Sequence, residues 1–286
     1  MSAQAPSQED RGWEFGVRYW WSKGKTQWNQ TAQGVDSSLG NPTSVLVYDR
    51  LYGHSLEFQG AKRWRQGWFV AGNIGGGNIY SGALNDSDYF AGQIKFSETT
   101  SSVADSDLAY LTADGGYNFL RPAGGSTLGV FGGFHYWNER VKAWGASFIV
   151  PAGVSDIPNN VRVITNDVEW YSIRAGLNAR AQVTDKALIT ASFAAVPRTW
   201  MRNHDSHHLR SDLGPTPNVT MDGTGRGLQF DAEARYAVYK RAELGLGLRY
   251  WKLRATGELR QANFTLPLNE FESTRYGATL SFTSRW

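Results

Sequence analysis

The chain has 286 residues, no cysteine, 12 Trp, 13 Tyr, 14 Phe and 32 Gly, and a formal net charge of +3. Without cysteine there is no disulfide framework, thiol chemistry or Cys-ligated zinc, and charges of both signs spread along a 41% apolar chain exclude a disordered or polyanion-binding tail. Mean hydropathy is −0.43 and no apolar run approaches the ~18 residues of a membrane helix, yet one membrane class passes that test: a β-barrel, in which only alternate residues face lipid and the average stays polar.

Met1 to Arg11 are polar and carry no apolar core, so they are expected to be a disordered periplasmic tail at a mature N-terminus rather than a signal peptide. From Gly12 the residues alternate: Trp13, Phe15, Val17, Tyr19 and Trp21 share one face, Glu14, Gly16, Arg18, Trp20 and Ser22 the other. This first strand is predicted over 12–28. Further strands follow at 43–64, 67–76, 105–121, 125–144, 162–182, 187–204, 223–240, 243–260 and 265–286, with a slip in the alternation near Gly53. The last strand alternates through Tyr276, Ala278, Leu280 and Phe282 and ends on Trp286.

Short turns near 65–67, 121–124, 184–186 and 240–242 alternate with longer polar segments at 29–42, 77–104, 145–161, 205–222 and 261–264. Ten strands, tight turns at one end and long loops at the other predict an all-β, ten-stranded antiparallel transmembrane β-barrel of the bacterial outer membrane, spanning 12–286 as one domain. Its N-terminus is expected to be periplasmic and its long loops extracellular. A soluble β-sandwich also alternates, but its exposed face would not carry so many Trp and Tyr. Trp13, Trp28, Trp64, Trp68, Trp144 and Trp200 suit interface girdles. Ten strands enclose a narrow lumen that Glu14, Arg18 and Arg174 could largely fill.

Two polar clusters fall on the predicted outer side. Asn85-Asp86-Ser87-Asp88-Tyr89 lies in the second long loop, and Asn203-His204-Asp205-Ser206-His207-His208 caps the strand rising from Thr184. An aspartate beside a histidine orients the imidazole and raises its basicity, so that it can take a proton from water. Two crowded aspartates share a proton and can position that water and protonate a leaving amine. The bland readings are Asx turns for the aspartates and surface polarity or a divalent metal for the histidines. The histidine string lacks the i, i+4 spacing of zincins, and no metal is expected.

At these residues the sequence resembles the omptins, ten-stranded outer-membrane proteases with a D-x-D pair and a D-x-H dyad on opposite sides of the barrel mouth. Asp86-Ser87-Asp88 with the following Tyr89 matches the pair, and Asp205-Ser206-His207 the dyad. Gly24-Lys25-Thr26, Ser44, Leu46, Tyr48, Gly76-Gly77-Asn78, Tyr136 and Arg140 extend the similarity over nearly the whole chain. The resemblance implies endopeptidase activity through an activated water, with no cofactor and no covalent intermediate, in a protein expected to be monomeric and to bind no nucleic acid. It implies lipopolysaccharide as a lipid activator, contacted by Tyr136 and Arg140, with Arg162 a further candidate by position. The acidic side chains that give omptins their basic specificity are replaced by Trp28 and Asn203, which become the substrate-binding candidates. Two other functions fit the same sequence: a catalytically silent barrel with a structural, adhesive or ligand-binding role, and a narrow porin-like channel.

Overall fold

The computed structural model describes residues 12–122 and 124–286; the expected N-terminal tail, 1–11, lies outside them. Eleven strands form one antiparallel sheet: β1 Gly12–Gln30, β2 Ser44–Arg63, β3 Trp68–Phe90, β4 Ile94–Val103, β5 Ser106–Leu120, β6 Thr127–Val150, β7 Ile157–Gln182, β8 Ala187–His207, β9 Val219–Tyr239, β10 Ala242–Gln261 and β11 Phe264–Arg285. The sheet closes because β1 pairs with β2 on one side and with β11 on the other, Tyr19 standing opposite Leu280. β4 and β5 both lie between β3 and β6, separated only by Ala104 and Asp105, so they are two halves of one stave. The barrel therefore has ten staves, as the sequence predicts.

The strand ends differ from expectation at the long-loop end. The predicted strand 67–76 runs on to Phe90 and turns back into β4, so Asp86 and Asp88 are strand residues rather than loop residues. The predicted loops 145–161 and 205–222 shrink to 151–156 and 208–218. Gly75-Gly76-Gly77 and the Asn/Asp/Ser run read locally as breakers, but their backbone groups are claimed by β2 on one side and by β4 and β5 on the other. Cross-strand pairing outweighs weak β-propensity there.

The outer wall carries a band of exposed apolar side chains: Trp13 to Trp21 on β1, Trp68 to Tyr80 on β3, Ile189 to Trp200 on β8 and Leu244 to Leu248 on β10. Trp13, Trp64, Trp68 and Trp200 are exposed, whereas Trp28 points inward and is buried. Trp144 is half-buried, its indole donating to the Ala104 carbonyl.

The lumen is filled rather than open. Arg249 donates to Glu57 and Asp231 (both 2.7 Å), Arg18 to Glu57 (3.1 Å), and Arg174 to Asp114 (2.9 and 3.0 Å) and Gln229. The Arg249 guanidinium stacks over Trp20 and Trp251, whose rings meet edge to face 4.9 Å apart, and Tyr110 and Trp137 complete the layer. Above them Arg275 binds Glu139 (2.5 Å) and Ser22 (2.9 Å), and a side chain at Gly24 would collide with its guanidinium. Pairing keeps these buried charges tolerable, and removing one partner leaves an uncompensated ion. Glu57→Ala, which removes the carboxylate shared by Arg18 and Arg249 but leaves them Glu233 and Asp231, is expected to cost about 1–3 kcal/mol, read as a lower urea midpoint for unfolding in detergent.

Candidate functional site

Four bulges decide which side chains look into the barrel above the aromatic layer. On β2, inward residues are odd-numbered through Ser55, Gly53 and Leu51, then even-numbered at Tyr48 and Leu46; the change falls at Arg50, which has φ 52°. This is the slip expected near Gly53, displaced by three residues. β3 changes parity between Ile79 and Leu84, opposite the β2 bulge, and Asp105 (φ 50°) does the same between β4 and β5. On β8, Val196 pairs with Gly227 but Thr199 with Gly225, so Pro197 and Arg198 face a single residue. Proline, which cannot donate to the ladder, is accommodated at such a bulge, and a bulge re-aims the side chains that follow.

The consequence is that Asp86 and Asp88 on β3, and Asn203, Asp205 and His207 on β8, all turn inward. Asp86, Asp88, Asp205 and His207 sit at least five residues beyond Tyr80 and Trp200, and Asn203 three beyond Trp200, outside the span that the apolar band marks as membrane-crossing. Asp205 is fully buried and lies 3.7 Å from the His207 ring, an ion-pair separation. Asn218 clamps the end of β8, accepting from the His207 backbone N–H (2.9 Å) and donating to its carbonyl (3.1 Å). Across the mouth, Asp88 is flanked by Ser44 on β2 and Ser97 on β4, its partners across the two ladders.

The charges couple. Burial, and then the neighbouring Asp88, push Asp86 up to about 7, while His207 pulls the other way. Burial also raises Asp88, against the pull of the Ser44 hydroxyl and the Arg210 guanidinium. Burial, the largest influence, would depress the His207 imidazole, but Asp205, by charge and hydrogen bonding, and the charge of Asp86 together outweigh it and raise the ring above its ordinary value. The two motifs therefore lie within electrostatic reach of one another across the mouth.

These groups are also unsatisfied. Asp86 Oδ1, both Asp205 carboxylate oxygens, His207 Nε2, the Tyr48 hydroxyl, both polar atoms of the Asn166 amide, Asn203 Oδ1 and the Trp28 indole N–H are buried without a hydrogen-bond partner. Buried polar atoms are ordinarily paired, and a cluster of unpaired ones marks a place built for something else to bind. Trp28 and Asn203, the substrate-binding candidates, both line this inner wall, Asn203 one inward step below Asp205.

Tyr48, within electrostatic reach of both Asp86 and Asp205, and Asn166, opposite Asp205 on β7, are site residues that motif spacing does not assign. Only strand register brings them in. Arg210 is another, within reach of both Asp86 and Asp88 while forked onto Asp212. His208 hydrogen-bonds Thr165 (2.9 Å) and takes no part in the cluster. Tyr136 and Arg140 lie elsewhere, on the outer wall of β6, where Tyr136 donates to Glu169 (2.8 Å) and Arg140 to Asp167 (2.6 and 2.8 Å) on β7.

No family model and no curated protein matches the chain. Among solved structures it is similar to the outer membrane protease OmpT from Escherichia coli, at 13% identity and a TM-score of 0.80, covering 98% of each chain. The outer membrane protein OprG from Pseudomonas aeruginosa (9% identity, 98% of each chain, TM-score 0.44) and the attachment invasion locus protein Ail of Yersinia pestis (8%, 96% of this chain and 98% of that one, TM-score 0.32) overlap more loosely. The architecture is thus that of an outer-membrane β-barrel, and its fold is omptin-like.

Asp86 is held above its ordinary 3.8, so the native state prefers it protonated; the stability this contributes at low pH is lost as pH rises from about 4 through 7. Asp86→Asn is expected to flatten that part of the stability–pH curve and to raise the urea midpoint at pH 8. An unchanged curve would show that the carboxyl is paired in solution.

Proposed function

We propose that this chain is an omptin-like endopeptidase of the bacterial outer membrane, hydrolysing peptide bonds at the cell surface with its long-loop end outward and its N-terminus periplasmic. The observation that carries this reading is the convergence at the barrel mouth of Asp86, Asp205 and His207, each with buried side-chain atoms that lack a hydrogen-bond partner. His207, oriented by Asp205, takes a proton from a water held between the two walls; that water attacks the peptide carbonyl. The Asp86–Asp88 pair, which keeps one proton near neutrality, supplies it to the departing amine. No metal, cofactor or covalent intermediate is needed, and peptides or proteins are the substrates.

Trp28 and Asn203 would receive the side chain beside the scissile bond. Neither is acidic, so a buried Arg or Lys there would lack a carboxylate and dibasic specificity is not expected. Tyr136 and Arg140, above the apolar band, would meet lipopolysaccharide, the lipid expected to activate a monomeric barrel. A filled lumen, with Arg18, Arg174 and Arg249 all ion-paired, favours chemistry at the mouth over conduction. The competing reading is a catalytically silent barrel, and the missing acidic specificity residues are what favour it.

The test is to refold the barrel in detergent with and without lipopolysaccharide and screen a quenched-fluorescence peptide library. His207→Ala and Asp88→Ala are expected to lower cleavage by roughly 10²–10⁴-fold with heat-modifiable gel migration unchanged, and chelators to have no effect. No cleavage by a folded wild-type barrel under either lipid condition would establish the silent reading. Because the base must be unprotonated and the acid protonated, the rate should follow a bell in pH. Its acid limb reports His207, raised above 6.5, and its alkaline limb the aspartate pair, near 7. Asp86→Asn should remove the alkaline limb from whatever rate survives.

A further inference from the structure

At the short-turn end of the lumen guanidinium groups outnumber the carboxylates that face them. Glu14 stands among four arginines, but only Arg180 hydrogen-bonds it, at 3.0 and 3.5 Å. Arg235 and Arg285 stop at 3.6 Å and Arg63 at 3.9 Å, too far for a hydrogen bond. Arg235 is satisfied in part by Glu233 (2.6 Å), and Arg285 lies 2.9 Å from Glu243. Arg63 has no other carboxylate within 4.0 Å among the described residues, and its Nε and Nη1 are buried with no acceptor. Arg235 Nη1 and Arg285 Nε are in the same condition.

Arg63 and Arg285 open onto a vestibule of about 740 Å³, lined by seven basic and three acidic side chains, whereas Arg235 lies farther into the lumen beside a smaller cavity that Arg63 also lines. A guanidinium cannot shed its charge, so surplus donors from β2 and β11 facing one space leave it strongly positive. A halide would answer one of those donors, and a carboxylate two in one plane. A tetrahedral oxyanion presents acceptors in several directions and can answer donors from both strands at once.

We propose that the short-turn vestibule binds a phosphate group, with Arg63 as its principal ligand and Arg285 closing on it from the facing wall. The phosphate can arrive as the free ion or on a phospholipid headgroup, since the vestibule lies at the open end of the barrel. This site is at the opposite end of the lumen from Asp86 and His207 and is independent of the proposed proteolysis.

The experiment is a calorimetric titration of the full chain, refolded in non-ionic detergent and phosphate-free buffer. Inorganic phosphate is the ligand in one arm and a short-chain phosphatidylglycerol in the other. Saturable one-to-one binding is expected. Arg63→Met should weaken it by roughly tenfold or more, and Arg63→Lys, which keeps a point charge but loses the fork, by less. Lys252→Gln, on the outer wall, should leave it unchanged. Gel migration checks the fold of each variant, and Arg63→Lys carries the test if Arg63→Met does not fold. Binding in the first arm identifies the free ion, and binding in the second arm alone the headgroup. Binding in neither arm, binding no stronger than that of chloride at equal ionic strength, or wild-type affinity in the Arg63 variants that fold would overturn the proposal.

Discussion

Arg249 lies in the middle of the lumen, held by Glu57 and Asp231 and pressed against the faces of Trp20 and Trp251. A ten-stave barrel is too wide to be closed by its backbone and too narrow to hold bulk water, so its interior must be filled by side chains that satisfy one another. Here a layer of ion pairs is capped by a layer of aromatic rings. Large rings supply contact area at low entropic cost, and the guanidinium joins the two layers by stacking on the rings while its N–H groups reach the carboxylates. This plug separates the barrel into two cups, one at each end.

The two cups are finished differently. Between them, charges are matched, as Arg18, Arg174, Arg249 and Arg275 show. At the long-loop mouth carboxylates and an imidazole are left unpaired, and at the short-turn end guanidiniums are. Leaving a buried polar group unsatisfied costs stability, so such groups persist where a ligand or reaction completes them. Charged groups whose counter-ions are matched in the middle and unmatched at the ends concentrate chemistry at the two openings.

The bulges connect architecture to site. Strict alternation from Ala187 to His207 would keep one parity inward, and Leu188, Ala194 and Val196 do point inward below Pro197. Without the switch at Pro197 and Arg198, Asp205 and His207 would face outward. On β3 the same service is done between Ile79 and Leu84, opposite the Arg50 bulge. Barrel strands that continue past the apolar band can thus change which residues they show to the lumen without breaking the ladder.

Much of this was legible in the sequence. The period of two through Trp13 to Ser22 and the alternation of short and long connections specify a ten-stave barrel, because lipid on one side and a filled lumen on the other impose opposite chemistries on successive residues. The spacing of Asp86 with Asp88 and of Asp205 with His207 marked two clusters. What the sequence could not specify is which way those residues point, because parity depends on bulges whose place is set by pairing with neighbouring strands. Nor could it place Tyr48 and Asn166 beside them, or assemble Glu14, Arg63, Arg235 and Arg285, which lie on four strands far apart in the chain. Alternation is a local property of one strand, readable from its own side chains; register, closure and the meeting of charges across the lumen exist only once all ten staves are hydrogen-bonded into a ring.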